Sequence, residues 1–323
     1  MGQTYREAYR YIHKDSKKAM IVVLSNRPLR LDYGEDRLLR IAIDVLKKHG
    51  FEVALCILSK NVCIANKQRF DTGNVLDKCR YLVLHHDVSL TKTLLFLVDK
   101  VIHRDIETIH MIYFLDTYSP ITLIRNVAGW FLAQLWNSYI ATSRYVYKHL
   151  RKFLVIRGKY LPVWKLYRFH IPKQPYRRGG KTIRITYVGV VDTERLNVED
   201  IARLVYKLRK AFGKSIELYV VARADQNVKE VDRWVRPWLR IVVIKRFLDD
   251  TEKRELLCRC HIATFTAKRI RFVVPPLFVV EARSCGCLVY APYLANVLRE
   301  EGLDNVYSSI DELVEALRKS MSK

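Results

Sequence analysis

Glu281 is the single acidic residue within a mostly apolar run that begins at Pro275 and ends at Ala291. Proline near the start and Gly286 after the acidic residue are typical of a short helix. Residues 287–291 then predict a buried strand. The N-terminus of a helix beside parallel strands is a natural phosphate site, because its first N–H groups have no partners within the helix. A carboxylate about one turn further along could bind the hydroxyls of a sugar.

Three candidate residues for chemistry also have structural interpretations. In the structural alternative for residues 275–291, the helix and strand belong to the protein core, and Glu281 lies at the helix surface. Arg195 could bind an anion, or it could be a solvated residue before a helix. Asp116 could lie beside a reacting group, or it could cap a turn. The residue types alone leave these alternatives open.

Residues 85–87, His-His-Asp, and two Cys-x-Cys pairs are the candidate metal ligands. A histidine pair at the end of a buried strand more commonly packs against and caps its neighbours. The cysteine pairs have one intervening residue, whereas structural zinc sites usually have two or more. The sequence therefore predicts no metal site. Seven cysteines, an odd number, also argue against the disulfide framework of a small secreted protein.

The composition predicts a globular protein with two domains of ordinary size. The chain has 323 residues, of which 50% are hydrophobic and 28% are charged, which suffices for two separate cores. No apolar run reaches the roughly 18 to 20 residues of a membrane-spanning helix. The basic N-terminus has no apolar signal-peptide core. We therefore expect an intracellular protein, in the cytoplasm or at the inner face of the membrane.

Positive charge is concentrated in the middle of the chain. The net charge is +24, and thirteen basic residues but no acidic one lie between Arg144 and Arg184. Aromatic residues are interspersed with them, including Tyr160, Trp164, Tyr167 and Phe169. This basic stretch could lie on an anionic membrane surface, bind nucleic acid through phosphates and stacking, or form ordinary helix and strand with a solvated basic face. The first two interpretations imply an anionic partner, and nucleic acid is the less favoured of the two.

Strands alternate with helices along the first half of the chain. Met20–Ser25, a helix around residues 38–46 and a strand over residues 51–58 predict one βαβ unit of a parallel sheet. The pattern continues with a strand at 81–85, a helix at 90–102, a strand at 108–114, a helix at 121–136 and a strand at 138–141. This alternation predicts a doubly wound α/β domain whose ligands lie beyond the carboxyl ends of the strands.

A second domain of the same kind follows a turn-rich linker. We predict an N-terminal domain over residues 1–170, a linker over 171–181 and a C-terminal domain over 182–323. The C-terminal pattern is strand 182–188, helix 198–212, strand 216–221, helix 227–234, strand 239–244, helix 250–258, strand 261–265, the helix and strand of residues 275–291, and helix 310–320. The predicted fold class is therefore α/β, with two doubly wound Rossmann-like domains that face a cleft, where we expect the ligand.

A series of motifs occurs in order within the C-terminal domain. They are Tyr187-Val188-Gly189, Thr193-Glu194-Arg195, the strand at 217–221, Phe247, and the runs ELLCRCHIATF and PPLFVVEARSCGCLVYAP. In this order the domain resembles the donor-binding domain of the family 4 glycosyltransferases, which are retaining enzymes with the GT-B fold. The resemblance covers residues 182–323 well, and it extends more weakly through GEDRLLRIAIDVLKKHGFEV and YIATSRYVYKHL in the first half.

The resemblance implies roles for residues that would bind the nucleotide sugar. Glu281 matches the second Glu of the family's E-x7-E motif, which binds the ribose. Arg195 takes the place of the family Lys that neutralises the diphosphate. The remaining matches are Pro276, Leu277 and Phe278 at the helix N-terminus that meets the diphosphate, Gly189 where the backbone approaches the ligand, and Phe247 in the base-binding loop.

On the acceptor side, Gly34 matches a glycine-rich loop, with Tyr33 and His86 nearby, and Asp116 falls beside the reacting sugar. Asp116 and Arg195 are the implied catalytic residues. The sequence departs from the family pattern at Val273, which replaces the first Glu of the motif, and at Leu115 and Val190, which replace a His and a basic residue. Three basic residues just upstream of the helix could hold the phosphates instead: Lys268, Arg269 and Arg271.

The predicted function is therefore a hexosyltransferase-type glycosyltransferase. It would move a sugar from a nucleotide-diphosphate donor to a glycan, lipid or protein acceptor, with retention. No metal or cofactor is expected, because cationic side chains and a helix N-terminus stabilise the departing diphosphate. The alternative is a non-catalytic GT-B-like protein that binds a polyanion such as nucleic acid, which Val273 and the net charge favour.

Overall fold

A computed structural model describes residues 20–25, 28–29, 34–48, 50–60, 62–65, 68–71, 79–84, 107–112, 138–152, 157–167, 181–189, 191, 196–222, 237–267 and 275–322. The chain divides into two compact units, residues 1–167 and 168–323. Most of the predicted linker lies outside the described residues, so the domain bounds 1–170 and 182–323 stay a prediction.

The first unit contains an eight-stranded sheet. Its strands are β1 (Met20–Ser25), β2 (Glu52–Ile57), β3 (Val62–Ala65), β4 (Gln68–Asp71), β5 (Cys79–Leu84), β6 (Glu107–Ile112), β7 (Ser138–Ala141) and β8 (Arg157–Tyr160). Their order is β4-β3-β2-β1-β5-β6-β7-β8. All pairs from β2 to β8 are parallel. Every residue of β1 is buried, as expected for a strand covered on both faces.

Helix α1 (Gly34–Lys48) connects β1 to β2, and helix α2 (Arg144–Leu150) connects β7 to β8. Short 3-10 helices span Leu58–Lys60 and Val163–Leu166. Leu38, Leu39 and Ile43 form the buried stripe of α1, and basic residues in its last turn interact favourably with the negative end of the helix dipole.

Two antiparallel strands at one edge of this sheet were not predicted. β3 pairs with β2, and β4 pairs with β3, both antiparallel. Each has only four residues, too few for a clear hydrophobic period. Cys56 lies opposite Cys63 in the register, and the two form a disulfide. The odd cysteine count gave no indication of this single bridge.

The second unit contains a six-stranded sheet. Its strands are β9 (Thr182–Val188), β10 (Ser215–Ala222), β11 (Leu239–Lys245), β12 (Ile262–Thr264), β13 (Leu288–Tyr290) and β14 (Val306–Tyr307). Their order is β11-β10-β9-β12-β13-β14, and every pair is parallel. The strand order reverses direction between β9 and β12. In open α/β sheets, ligands bind beyond the carboxyl ends of the strands at such a switch point.

The helices described in the second unit are α3 (Val198–Phe212), α4 (Asp250–Arg259), α5 (Leu277–Ser284), α6 (Ala295–Glu300) and α7 (Ile310–Met321). The buried positions of α3 include Ile201, Leu204, Val205 and Leu208, which recur at helical spacing and pack on the sheet. The helix ends at Gly213, whose φ of 64° suits a left-handed C-terminal cap. The core of this unit therefore lies between α3, α7 and the sheet.

The predicted fold class, α/β with two doubly wound Rossmann-like domains, is confirmed. Strands β1, β7 and β9 and helix α3 have the predicted bounds, and the other predicted strands are shifted by one or two residues at their ends. Helix α6 and strand β14 were not predicted, because both are short. The helices expected at residues 90–102, 121–136 and 227–234 lie outside the described residues.

Candidate nucleotide-sugar site

The carboxyl ends of β9 and β12 define the candidate site in the second unit. Gly189 follows β9 directly. Its N–H donates to the carbonyl oxygen of Val221 at 3.1 Å, which fixes the backbone at the carboxyl end of the strands. A Cβ atom on Gly189 would lie 3.1 Å from the hydroxyl of Tyr187, tighter than an ordinary contact. The absence of a side chain therefore lets the chain turn closely past this hydroxyl.

Helix α5 follows β12 in the chain and begins near the same carboxyl end of the strands. Its cap residue is Pro276, whose carbonyl oxygen accepts from the N–H groups of Val279 and Val280. Pro276 has no polar side chain with which to cap the first N–H groups of the helix. The helix N-terminus thus carries the partial positive charge that favours a phosphate.

Tyr187 brings two of the predicted site residues together. Its ring packs edge-on against the ring of Phe278, with the centroids 6.4 Å apart, while its hydroxyl lies near Gly189. Both rings are buried. Gly189, where the backbone is predicted to approach the ligand, and the predicted phosphate helix are therefore neighbours. They are joined by Tyr187, a residue of the Tyr187-Val188-Gly189 motif to which no role was assigned.

Glu281 is buried and ion-paired, which neither sequence interpretation included. Its side chain is 1% exposed, and Lys253 of α4 donates to its Oε1 atom at 2.6 Å. Lys253 is itself buried, with Asp250 at 3.9 Å as a second carboxylate neighbour. The structural alternative placed Glu281 at the helix surface, and that is wrong. The carboxylate fixes α5 against α4.

Helix α4 begins with a capping box just after β11. The side chain of Asp249 accepts from the N–H groups of Thr251 and Glu252, and Glu252 accepts in return from the N–H of Asp249. Arg246 donates two hydrogen bonds to the carboxylate of Glu252, at 2.6 and 2.8 Å. Phe247 lies between these groups in the chain and is 57% exposed. An exposed aromatic residue thus lies in the chain between the end of β11 and a capped helix.

Acid is expected to weaken this cap. The guanidinium of Arg246 and then the N–H of Asp249 lower the pKa of Glu252 to about 2, from an ordinary value of 4.5. Because the folded-state pKa is depressed, the contribution of Glu252 to stability is present above about pH 4.5 and is lost as the pH falls toward 2. Urea unfolding should show a stability deficit of Glu252→Gln at pH 6 that shrinks toward pH 3. Glu255→Gln, on the same helix outside the box, is the control, and a deficit that stays constant with pH would contradict the prediction.

A polar cluster around Asn197 ties the switch point together. The N–H of Asn197 donates to Thr266 Oγ1 at 2.9 Å, just beyond β12. Its side-chain amide donates to Asp200 at 2.6 Å and to the hydroxyl of Tyr293 at 3.1 Å. The hydrogen bond with Asp200 raises the pKa of Tyr293, while burial, followed by the charge of Asp200, raises the pKa of Tyr290 to about 12. Three chain segments are therefore fixed beside one another.

Sequence reasoning missed Lys253, Thr266, Asn197 and Tyr293. Asn197 had a readable signal, because Asn before an apolar periodic run is a common helix cap. The other three had none, since their partners are distant along the chain.

Several predicted site residues lie outside the described residues: Tyr33, His86, Asp116, Arg195 and Arg271. The chain places Tyr33 and His86 after β1 and β5, the two strands at which the order of the first sheet reverses. Gly34 is the first residue of α1, so it begins a helix where a loop position was expected. The proposed roles of these residues stay predictions.

The basic stretch forms ordinary helix and strand where it is described. One face of α2 and the turn that follows it expose four cations, Arg144, Lys148, Arg151 and Lys152. Val146 and Leu150 are buried on the other face. Trp164 is 6% exposed, and the half-buried rings of Tyr160 and Tyr167 lie beneath the guanidinium groups of Arg144 and Arg37. Trp164 is therefore not available to enter a membrane or to stack on a base, and the solvated basic face describes this part best.

Two further properties follow from the described ranges. Among those residues, no group of three or more His, Cys, Asp or Glu side chains is arranged to hold a metal ion. The same part of the chain has no helix with the length and apolar character needed to cross a bilayer.

Solved structures of glycosyltransferases share this architecture. HepE of Anabaena, in complex with UDP and glucose, is 12% identical and has a TM-score of 0.53, with 94% of this chain and 98% of that chain covered. The UDP-forming α,α-trehalose-phosphate synthase of Burkholderia vietnamiensis is 10% identical, has a TM-score of 0.60 and covers 96% and 92%. The chain has the GT-B fold.

A third structure with the GT-B fold is an α-glucosyltransferase in complex with UDP and a 13-mer DNA that contains an HMU base. It is 12% identical, has a TM-score of 0.57 and covers 94% of this chain and 90% of that chain. At these identities the likeness shows the fold alone. No protein-family model matches the sequence, and no curated protein matches it significantly.

Proposed function

We propose that this chain is a glycosyltransferase that uses a nucleotide-diphosphate sugar as donor. One observation carries the proposal: Gly189 and the N-terminus of α5 are brought together through Tyr187 at the switch point of the second sheet. The site thereby combines a close backbone turn with a helix N-terminus, and both features suit a diphosphate. The GT-B fold supports the assignment, because structures of that fold contain UDP.

In the proposed complex, the diphosphate lies at the N-terminus of α5, next to Pro276, Leu277 and Phe278. Arg195 and Arg271 neutralise its charge, since a guanidinium can grip phosphate oxygens with two parallel hydrogen bonds. The base lies against Phe247, and the ribose binds Glu281. Ribose binding requires the carboxylate of Glu281 to interact with the ribose and with Lys253 together.

The proposed reaction transfers a hexose with retention. The acceptor hydroxyl attacks the anomeric carbon on the face from which the diphosphate leaves, and a phosphate oxygen of the leaving group takes the hydroxyl proton. Arg195 and the helix dipole stabilise the developing charge on the diphosphate, so the reaction needs no metal or cofactor. Asp116 lies beside the reacting sugar, and Val273 removes one contact to that sugar. Tyr33, Gly34 and His86 face the acceptor, a glycan, lipid or protein in the cytoplasm or at the inner face of the membrane.

Nucleotide binding is the first test of this function. Thermal shift with UDP, GDP and ADP should show stabilisation by one of them, by about 2.7 kcal/mol when its concentration is 100 times the dissociation constant. A hydrolysis screen over a panel of sugar nucleotides then identifies the donor. Stabilisation by none of the three nucleotides would count decisively against the proposed donor site.

Loss of the exposed ring at position 247 should weaken nucleotide binding. Phe247→Ala removes the surface on which the base is proposed to stack, and one stacking contact contributes roughly 1–3 kcal/mol. We expect the dissociation constant for UDP to rise about tenfold, equivalent to about 1.4 kcal/mol, in isothermal titration. Tyr206→Ala is the matched control, because Tyr206 is 63% exposed on the outer face of α3. Equal affinities of the two variants would exclude Phe247 from the base site.

Polyanion binding is a second candidate function, favoured by the four cations along one face of α2 and its last turn. Phosphates attract such a stripe, and the affinity then falls steeply with salt. In a gel shift with a duplex DNA at several salt concentrations, Lys148→Glu with Arg151→Glu should abolish a strongly salt-dependent complex. Such a complex without any sugar-nucleotide turnover would favour this function over the transferase.

A further inference from the structure

Two buried cysteines meet at the far ends of α4 and α5. Cys258 belongs to the last turn of α4, and Cys285 follows α5 directly. Their Sγ atoms lie 2.8 Å apart, less than 1 Å beyond the covalent sulfur–sulfur distance of about 2.05 Å. Both side chains are buried in the second unit. The two sulfurs are therefore in direct contact.

The neighbouring cysteines are oriented differently. The thiol of Cys287 donates to the carbonyl oxygens of Leu257 and Cys260, at 3.2 and 3.5 Å. Its sulfur therefore points at the backbone at the end of α4, whereas Cys258 and Cys285 point at each other. The two Cys-x-Cys pairs, which lack the ligand spacing of a zinc site, thus place one sulfur from each pair in direct contact.

We propose that Cys258 and Cys285 form a disulfide that cross-links α4 to α5. The bond forms by exchange with a low-molecular-weight disulfide such as oxidised glutathione. One cysteine thiolate attacks it and releases one thiol, and the second cysteine thiolate then displaces the other, so that two protein thiols are oxidised and one small disulfide is reduced to two thiols. Because both sulfurs are buried, the exchange takes place during folding, before the two helices pack.

The cross-link would hold the helix that carries the proposed donor site. α4 and α5 would then be joined at two levels, by the ion pair between Lys253 in the first turn of α4 and Glu281 in the middle of α5, and by the disulfide at their C-terminal ends. Movement of α5 relative to α4 would be restricted, and with it the position of its N-terminus. Only this last consequence rests on the proposed function, since the bond itself can be detected whether or not a nucleotide binds.

Peptide mapping tests the bond. The full chain is refolded in a mixture of reduced and oxidised glutathione, alkylated in denaturant and digested with trypsin without reductant. Trypsin cleaves after Arg254, Arg259 and Arg283, so residues 255–259 carry Cys258 alone, whereas residues 284–299 carry Cys285 and Cys287. We expect these two peptides to be linked, and the linkage to persist in Cys287→Ser and to disappear in Cys285→Ser. Alkylated Cys258, or a linkage that Cys287→Ser removes, would overturn the proposal.

The number of thiols gives an independent readout. With the bond between Cys56 and Cys63 alone, five of the seven cysteines accept the alkylating reagent in denaturant, and the second bond reduces that number to three. Intact mass after alkylation should therefore show three adducts for the refolded chain and four for Cys258→Ser, whose partner sulfur becomes available. Five adducts on the refolded chain, together with the intact bond between Cys56 and Cys63, would overturn the proposal.

Discussion

Replacing Glu281 by Ala is expected to lower the free energy of unfolding by about 3–5 kcal/mol, because it leaves the ammonium of Lys253 buried without its main counter-charge. The side chain of Lys253 is only 11% exposed, and Asp250 at 3.9 Å is a distant and largely exposed substitute for the lost carboxylate. Urea unfolding of the full chain, followed by circular dichroism, measures the loss. A change below 1 kcal/mol would mean that the ion pair does not stabilise the packing of α5 on α4.

The double variant Lys253→Met with Glu281→Leu is the control for this result. It removes both charges together and keeps apolar volume between the helices, so we expect a stability within about 1 kcal/mol of the original chain, or above it. A strongly destabilised double variant would indicate that shape, and not uncompensated charge, explains the loss in Glu281→Ala.

The same double variant tests the proposed ribose contact separately from stability. If Glu281 binds the ribose, this folded protein should bind UDP at least tenfold more weakly than the original chain, equivalent to about 1.4 kcal/mol. Unchanged affinity would reject the ribose role and leave Glu281 with its structural role alone. The comparison is informative because it does not depend on a destabilised protein.

Replacing Arg195 by Ala is expected to lower turnover of the sugar nucleotide by roughly 10²–10³-fold while the fold is retained. Loss of one well-placed donor to a developing charge costs that much in enzymes that stabilise an anionic leaving group. Arg195 directly precedes Leu196 and Asn197 in the chain. Leu196 is buried, and the N–H of Asn197 donates to Thr266, so these two neighbours are fixed beside the switch point. Initial-rate kinetics with the donor found in the hydrolysis screen measure the effect.

Two variants separate the charge of Arg195 from its geometry. Arg195→Lys keeps the charge but not the forked pair of donors, so we expect an intermediate rate. Lys210→Ala, on the exposed surface of α3, removes a positive charge away from the proposed site and should leave the rate unchanged. Equal losses in Lys210→Ala and Arg195→Ala would show that net charge, and not a specific contact, supports turnover.

Strand β1 was predictable because a parallel strand covered on both faces is a continuous apolar run, and its predicted bounds match the observed ones. Strands β9 and β10 include the charged residues Arg184 and Glu217 among their apolar ones, and their predicted bounds differ from the observed ones by one residue at most. The hairpin of β3 and β4 was not predictable in this way, because it lies at a sheet edge, where short strands carry a mixed pattern.

The site was only partly predictable, for a different physical reason. Gly189 and the start of α5 are local features of the chain, and a turn or a helix N-terminus can be recognised from adjacent residues. The ion pair joins residues 253 and 281, and the Asn197 cluster joins residues 197, 266 and 293. Such contacts depend on which helices become neighbours, and a single sequence contains no periodic signal for that.

The hydrogen bonds of Asn197 constrain how this protein can change in evolution. The side chain and the backbone N–H of Asn197 donate to Asp200, Tyr293 and Thr266 together, so the loss of any one of these groups changes the hydrogen bonds that remain to the others. Energetic effects within such a network do not add. The four positions therefore form an epistatic unit, in which a tolerated replacement of one residue depends on the residues already present at the other three.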